Sequence, residues 1–339
     1  KTRDVKVALD FGLWKDRING IVEAYWRKSK DCVTSEYVPV TTGFFNQSYN
    51  TSVLQNNGVE FSLSVAVLKS KDYNLSVSAN VAWNQNKLKK YNSPNTSLAL
   101  DKYVGYPMGA VFSGKYEGID PETGMYKFKL RPDAVTNKDG YLREPNNYYY
   151  YLGTSVAPFT GGFNLNFSYK NIGLSVGGSY SVKAKMVDNI ESPAGYELLS
   201  GSKLESIPTP HNDLYRNHLN VKREVRNRWT PENRTGVKYP RLIDAYGKKL
   251  GLDLTNPTLT TITRGALLED ISYLRINTIA LSYSLPQRVL ERINFSSAAL
   301  NLTLNNFFTI TKYSGIDPEV PGATYPVSRS VTIGLNVGF

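Results

Sequence analysis

The chain repeats one pattern from end to end, an apolar residue at every second position with small or polar residues between. Val331, Ile333, Leu335, Val337 and Phe339 alternate with Thr332, Gly334, Asn336 and Gly338 up to the last residue. A period of two is that of a β-strand with one apolar face. The same pattern runs from Val5 to Leu13, from Val22 to Trp26, from Val59 to Val67, from Leu75 to Trp83 and from Phe163 to Tyr169. It returns from Ile172 to Val182, from Thr278 to Leu285 and from Leu300 to Asn305. Nine strands are predicted.

The polar face separates two architectures. A soluble antiparallel sandwich also has one apolar and one polar face, but its outer face is normally rich in Lys, Glu and Thr. Here the polar positions are mostly Asn, Ser, Gly and Ala (Asn74, Ser76, Ser78, Asn80; Asn164, Asn166, Ser168; Gly173, Ser175, Gly177). Small groups of this kind suit a crowded, wet interior. Trp14, Trp26, Tyr73, Trp83 and Tyr169 lie near strand ends on the apolar side, as aromatic girdles do at membrane interfaces.

The connections sort by length. Short ones at 15–16, 70–72, 170–171 and 286–296 alternate with long ones at 29–57, 87–160, 186–268 and 311–328. In an up-and-down barrel alternate connections lie at opposite ends, so all the short turns fall on one side and all the long loops on the other. Outer-membrane barrels show this asymmetry; a sandwich has no reason to. The expected fold is all-β, about nine strands of a large antiparallel transmembrane barrel. An odd strand count leaves two unpaired edges in lipid, which is prohibitively costly. The expectation is therefore a C-terminal portion of a barrel whose earlier strands belong upstream.

Composition changes this picture little. No apolar run approaches the roughly 18–20 residues of a spanning helix, and the single cysteine, Cys32, excludes an internal disulfide framework. The net charge of +11 is concentrated between His211 and Lys249, where ten Lys/Arg face four Asp/Glu. Without a zinc pattern or an RNP-like strand this reads as a solvated loop rather than a nucleic-acid site. It is also able to meet an acidic partner surface or lipopolysaccharide phosphates.

Several ordered motifs resemble the later barrel strands of SusC/RagA-type TonB-dependent transporters. They are the stretch Leu9–Asp31 followed by TTGFF and NNGVEFSL, then Gly105–Gly124, Thr160–Asn171, RWTPEN at Arg228–Asn233, SYLRINTIALSYSLP, NNFFTITKYSGIDPEV and the terminal strand. The resemblance implies a plugged 22-stranded barrel in the outer membrane of a Bacteroidetes-type Gram-negative bacterium. It implies inward transport of oligosaccharides or peptides, energised by TonB, with a SusD-like surface lipoprotein as lid. Further implied partners are the N-terminal remainder of the transporter, the TonB complex acting through the plug, and lipid. The final aromatic, with Val337 and Leu335, resembles the signal read by the barrel-assembly machinery at Phe339. A passive porin, a surface-binding adhesin barrel and a soluble lectin-like sandwich remain as alternatives.

Candidate chemistry is sparse. His211 and His218 lack the spacing of helical zinc ligands, and no nucleophile elbow appears, so neither catalysis, metal nor cofactor is expected. GIDPE occurs at Gly118–Glu122 and Gly315–Glu319 and reads as turn chemistry rather than as a calcium loop. Tyr148, Tyr149, Tyr150 and Tyr151, with Tyr106 and Trp229, lie in long loops on one side and are the candidate substrate contacts; packing of loops on one another or on a lid is the competing reading.

Overall fold

The computed structural model describes residues 1–91, 103–122, 124, 126–129, 131–132, 149–187, 226–237, 264–321 and 325–339. Nine strands form one antiparallel sheet in meander order. They are β1 (Thr2–Leu13), β2 (Ile18–Tyr37), β3 (Asn46–Lys69), β4 (Tyr73–Lys90), β8 (Phe159–Tyr169), β9 (Ile172–Val182), β12 (Tyr273–Ser284), β13 (Ser297–Thr311) and β14 (Ser330–Gly338). Short strands in the connections make two smaller sheets. One pairs β5 (Ala110–Ile119) with β6 (Tyr126–Lys129) and β7 (Tyr149–Thr154); the other pairs β10 (Lys185–Val187) with β11 (Leu268–Asp270). An α-helix, α1 (Gln287–Ile293), fills the turn between β12 and β13, with Asn294 in the left-handed region at its C-cap. Among the described residues no helix is long and apolar enough to cross a membrane, which bears on helices alone.

All nine sheet strands fall where the alternation predicts. Strands β2 and β3 run further, through most of 29–57, so the predicted loop is a tall hairpin with its tip at 38–45. Register explains the glycines. Phe11 stands opposite Gly20, Tyr25 opposite Gly58, Phe163 opposite Gly178 and Tyr180 opposite Gly161, and each ring occupies the space a Cβ would need. Tyr180 reaches past Gly161 and donates its hydroxyl to the Asn80 carbonyl on β4, 2.8 Å away. Asn80 in turn accepts the Gly162 N–H on its side-chain oxygen at 2.6 Å.

The apolar face carries two aromatic rows. At the short-turn end Tyr73, Tyr169, Ile172 and Tyr283 are successive cross-strand partners. At the long-loop end Val59, Trp83, Phe159 and Val182 are likewise in register. Tyr73 to Trp83, Tyr169 to Phe159 and Ile172 to Val182 each cover ten residues. At about 3.3 Å per residue and a tilt of roughly 40°, that places the rows about 25 Å apart along a barrel axis, the height of an outer-membrane apolar band. On this face only aliphatic and aromatic residues and glycine lie between the rows on β4, β8 and β9. Lys170 sits over the Tyr169 ring (5.3 Å) and Lys183 over Phe159 (5.0 Å), one at each row, as amphipathic side chains do at an interface.

Buried apolar packing is found above the strands rather than between sheets. Ala184, Ile271 and Tyr313 form a cluster with Ala157 and Met186, where three loops leave the wall. β1 and β14 pair on one side only, so both edges of the nine-stranded sheet are open.

The lumen wall and candidate substrate vestibule

The concave face of the sheet is the polar one. Asn, Ser, Thr, Gly and Ala fill it on β4, β8, β9, β13 and β14 through the membrane-height section, and they bond to one another across strands. Ser175 donates to Asn166 at 2.8 Å and Asn305 to Ser330 at 3.0 Å, while Thr278 and Asn305 meet at 3.2 Å. The resulting concavity over β1–β4, β8 and β9 has a volume of about 600 Å³, and Asp10 and Asp16 are among its lining residues. Charged side chains on this face gather on β1–β3. Arg27 binds Asp4 at 2.7 Å, and Lys6 pairs with Glu23, which faces Glu60 across β2–β3.

The remaining charge is Arg275 on β12, and a bulge puts it there. The register of β12 against β9 shifts between Ile276 and Thr278. Asn277 is the extra residue, so the inward parity passes from Thr278, Ala280 and Ser282 to Arg275. Without that insertion the guanidinium would face the apolar side. Arg275 is 3% exposed and bonds Asp317 (5% exposed) at 2.5 Å and Glu319 at 3.2 Å. Both acids belong to the second GIDPE. Asp317 also accepts the backbone N–H groups of Glu319 (3.0 Å) and Val327 (3.1 Å). Burial by itself would raise the Asp317 pKa; the two N–H groups and the guanidinium outweigh it and hold the carboxyl below the usual carboxylate range. Nearby, the Glu269 carboxylate accepts the Ser314 N–H at 2.8 Å and the Ser314 hydroxyl. The 312–329 loop is thus fastened to the wall and to the base of its neighbouring loop.

The first GIDPE makes the same turn, with Asp120 accepting the Glu122 N–H at 2.8 Å. Its partner is different. Trp229 of RWTPEN, 7% exposed, donates its indole N–H to the Pro121 carbonyl at 3.0 Å. Thr230 and Asn233 close a tight turn behind it, with backbone bonds in both directions.

Of the predicted vestibule residues, the structure brings Tyr106 and Tyr151 together, with ring centroids 4.9 Å apart. Phe112, which the sequence did not single out, joins them, edge-on to Tyr106 at 4.9 Å and to Tyr103 at 5.0 Å. Tyr149 shares this side of β7, whereas Tyr150 lies on the opposite side, paired with Ser113. Tyr148 falls outside the described residues, as do His211, His218 and much of the basic run. Trp229 is spent on the Pro121 contact and is not part of the cluster. Partial burial pushes the phenols of Tyr103 and Tyr151 up, so these two stay uncharged and keep their O–H donors. Aromatic faces with donors at their rim stack on sugar rings or peptide side chains. At the turn end Phe339, 91% exposed, meets Phe295 edge-on at 5.2 Å. Val337 and Leu335 lie on the outer face of β14. Among the described residues no group of three or more His, Cys, Asp or Glu is placed to hold a metal ion.

No family model matches the chain. It is 25% identical over its full length to the TonB-dependent receptor SusC of Bacteroides thetaiotaomicron, covering 32% of that protein. It is 24% identical, again over its full length, to TonB-dependent receptor P26 of Formosa agariphila, covering 34%. The chain therefore spans about a third of the length of these relatives. Among solved structures, that of the RagAB peptide transporter superposes over the whole chain with a TM-score of 0.75 and 26% identity, covering 35% of the matched chain. The meander, the two aromatic rows, the small polar lumen face and this whole-chain similarity together liken the chain to a barrel segment of the SusC/RagA-type TonB-dependent transporters.

Proposed function

We propose that the chain forms wall and outer vestibule of an outer-membrane importer of oligomeric nutrients, glycans or peptides, as the C-terminal portion of a plugged 22-stranded barrel. The observation that carries this reading is the two-faced sheet. Its outer face is an apolar band of membrane height, and its inner face is a wet, small-residue wall. The open edges of β1 and β14 cannot stay unpaired in lipid, and further strands of a longer barrel would cover them. Long loops at one end, with the Tyr103–Tyr106–Phe112–Tyr151 cluster among them, suit capture of a large cargo beneath a SusD-like lipoprotein. Energy would come from TonB through the plug, and the Phe339 strand end would serve in assembly. Nothing in the reading calls for catalysis.

The test is made on the native complex and on cells. Detergent-extracted outer membranes, affinity-purified through this chain, should yield a larger transporter polypeptide and a surface lipoprotein. Cells should take up labelled oligomers and lose that uptake when TonB is deleted. A stable barrel of this chain's own mass, or uptake indifferent to TonB, would replace the reading with a porin or an adhesin.

A further inference from the structure

A second cavity, of about 470 Å³, lies at the loop end of β2–β4 and shares only Tyr103 with the aromatic cluster. The segment 103–110 roofs it. That segment is tied to β4 by Leu88 N–H to the Tyr106 carbonyl (2.9 Å), Gly105 N–H to the Leu88 carbonyl (2.7 Å) and Met108 N–H to the Asn86 side chain (2.7 Å). Leu54, Leu88, Met108 and Tyr103 supply apolar wall, and none of the described residues that line the space is charged. Its polar side-chain lining includes Ser52 and Cys32, cross-strand partners on β3 and β2.

Ser52 is the informative residue. It is 2% exposed and its hydroxyl has no hydrogen-bond partner. The large majority of buried side-chain polar groups are hydrogen-bonded, and leaving one unsatisfied costs about 1–3 kcal/mol. The cavity also falls in the size range of small-molecule sites, which combine apolar walls with a few placed polar groups. A charged ligand would find no counter-charge among the described lining residues. A bare sugar would lose water from several hydroxyls while gaining few partners.

We propose that this cavity binds a neutral apolar group bearing one hydrogen-bonding atom, such as a phenol, with that atom on Ser52. Its occupancy is argued from the cavity alone; its meaning as a cargo subsite rests on the import reading. Tyr103 joins the two, since it lines the cavity and packs edge-on against Phe112 of the vestibule cluster. The group can arrive as a free small molecule or as a side chain of an oligomer.

Cys32 supplies the readout, being partly exposed and the only cysteine of the chain. The full-length transporter in detergent is reacted with N-ethylmaleimide, and modification of Cys32 is followed by peptide mapping. Toluene and p-cresol should both slow the reaction, p-cresol at lower concentration, and maltotetraose should not. Ser52→Ala should weaken protection by p-cresol about fivefold, the worth of one net hydrogen bond, and leave toluene unchanged. Met108→Trp, at a half-exposed wall position, should abolish protection by both. A short peptide with one tyrosine that protects, while its alanine analogue does not, assigns the group to an oligomer's side chain. Protection by p-cresol without protection by the peptide assigns it to a free small molecule. Absence of protection by both toluene and p-cresol, equal protection by maltotetraose, or an Ser52→Ala effect that is the same for both compounds would overturn the site. The assay needs neither TonB nor transport. Protection without TonB-dependent uptake therefore refutes the import reading alone, and uptake without protection refutes this site alone.

Discussion

Replacing Arg275 with methionine removes the cation that fastens the 312–329 loop to the lumen wall. Glu319, 42% exposed, can turn to water, but Asp317, 5% exposed, is left as a buried charge on two backbone N–H groups. Removing one partner of a buried pair costs about 3–5 kcal/mol. The two remaining N–H bonds favour the low end, near 3 kcal/mol. The loop is able to lift without unfolding the barrel, so the cost falls on local opening rather than on the global melt. At about 1.4 kcal/mol per decade, 3 kcal/mol enlarges the open population roughly 100-fold. Hydrogen exchange of the purified full-length protein measures this at the Glu319 and Val327 amides, which bond the Asp317 carboxylate directly. Both should exchange about 100-fold faster in Arg275→Met, while amides of β13 at Leu302–Leu304 stay unchanged. Asp317→Asn keeps an acceptor oxygen and should give a smaller acceleration. Exchange at Val327 within threefold of the parent in Arg275→Met would refute the lock, and an equal fall in protection of β13 would show that Arg275 supports the wall instead.

Other outcomes follow from the same geometry. Because the Asp317 pKa is depressed in the fold, its contribution is complete above the ordinary aspartate range. It is lost only as pH falls through the depressed value. Val327 protection, corrected for intrinsic rates, should therefore be flat from about pH 8 to 5 and fall in stronger acid. Tyr180→Phe removes the donor to the Asn80 carbonyl and should lower barrel stability by about 1 kcal/mol in a denaturant titration, with uptake unaltered. Tyr106→Ala and Tyr151→Ala dismantle the aromatic cluster and should weaken cargo binding severalfold by calorimetry, whereas Tyr150→Ala, on the other side of β7, should not. Phe339→Ala should reduce the heat-modifiable fraction in outer membranes more than its ring contact of about 1 kcal/mol with Phe295 would explain.

What the linear pattern determined is the wall. A period of two with apolar and small polar faces survives in sequence because each face meets one uniform environment along its length. The sorting of turns from loops survives because it depends on chain length alone. Strand number, meander and orientation of faces were legible on those grounds, the family resemblance came from ordered motifs, and the Asx turns of both GIDPE stretches were legible because a side chain bonding two residues ahead is local. The site was not. Tyr148–Tyr151 reads as one aromatic run, yet strand pairing puts Tyr149 and Tyr151 on one face and Tyr150 on the other, and Phe112 enters from nearly forty positions away. Arg275 sits in an apolar-looking stretch, and only the bulge at Asn277 turns it inward to Asp317. Identical GIDPE turns dock on Trp229 in one loop and on Arg275 in the other, since the docking partner is set by which distant segment lies above the turn. Register, bulges and loop contacts are long-range choices made by closing entropy against packing, and the sequence carries no local trace of them.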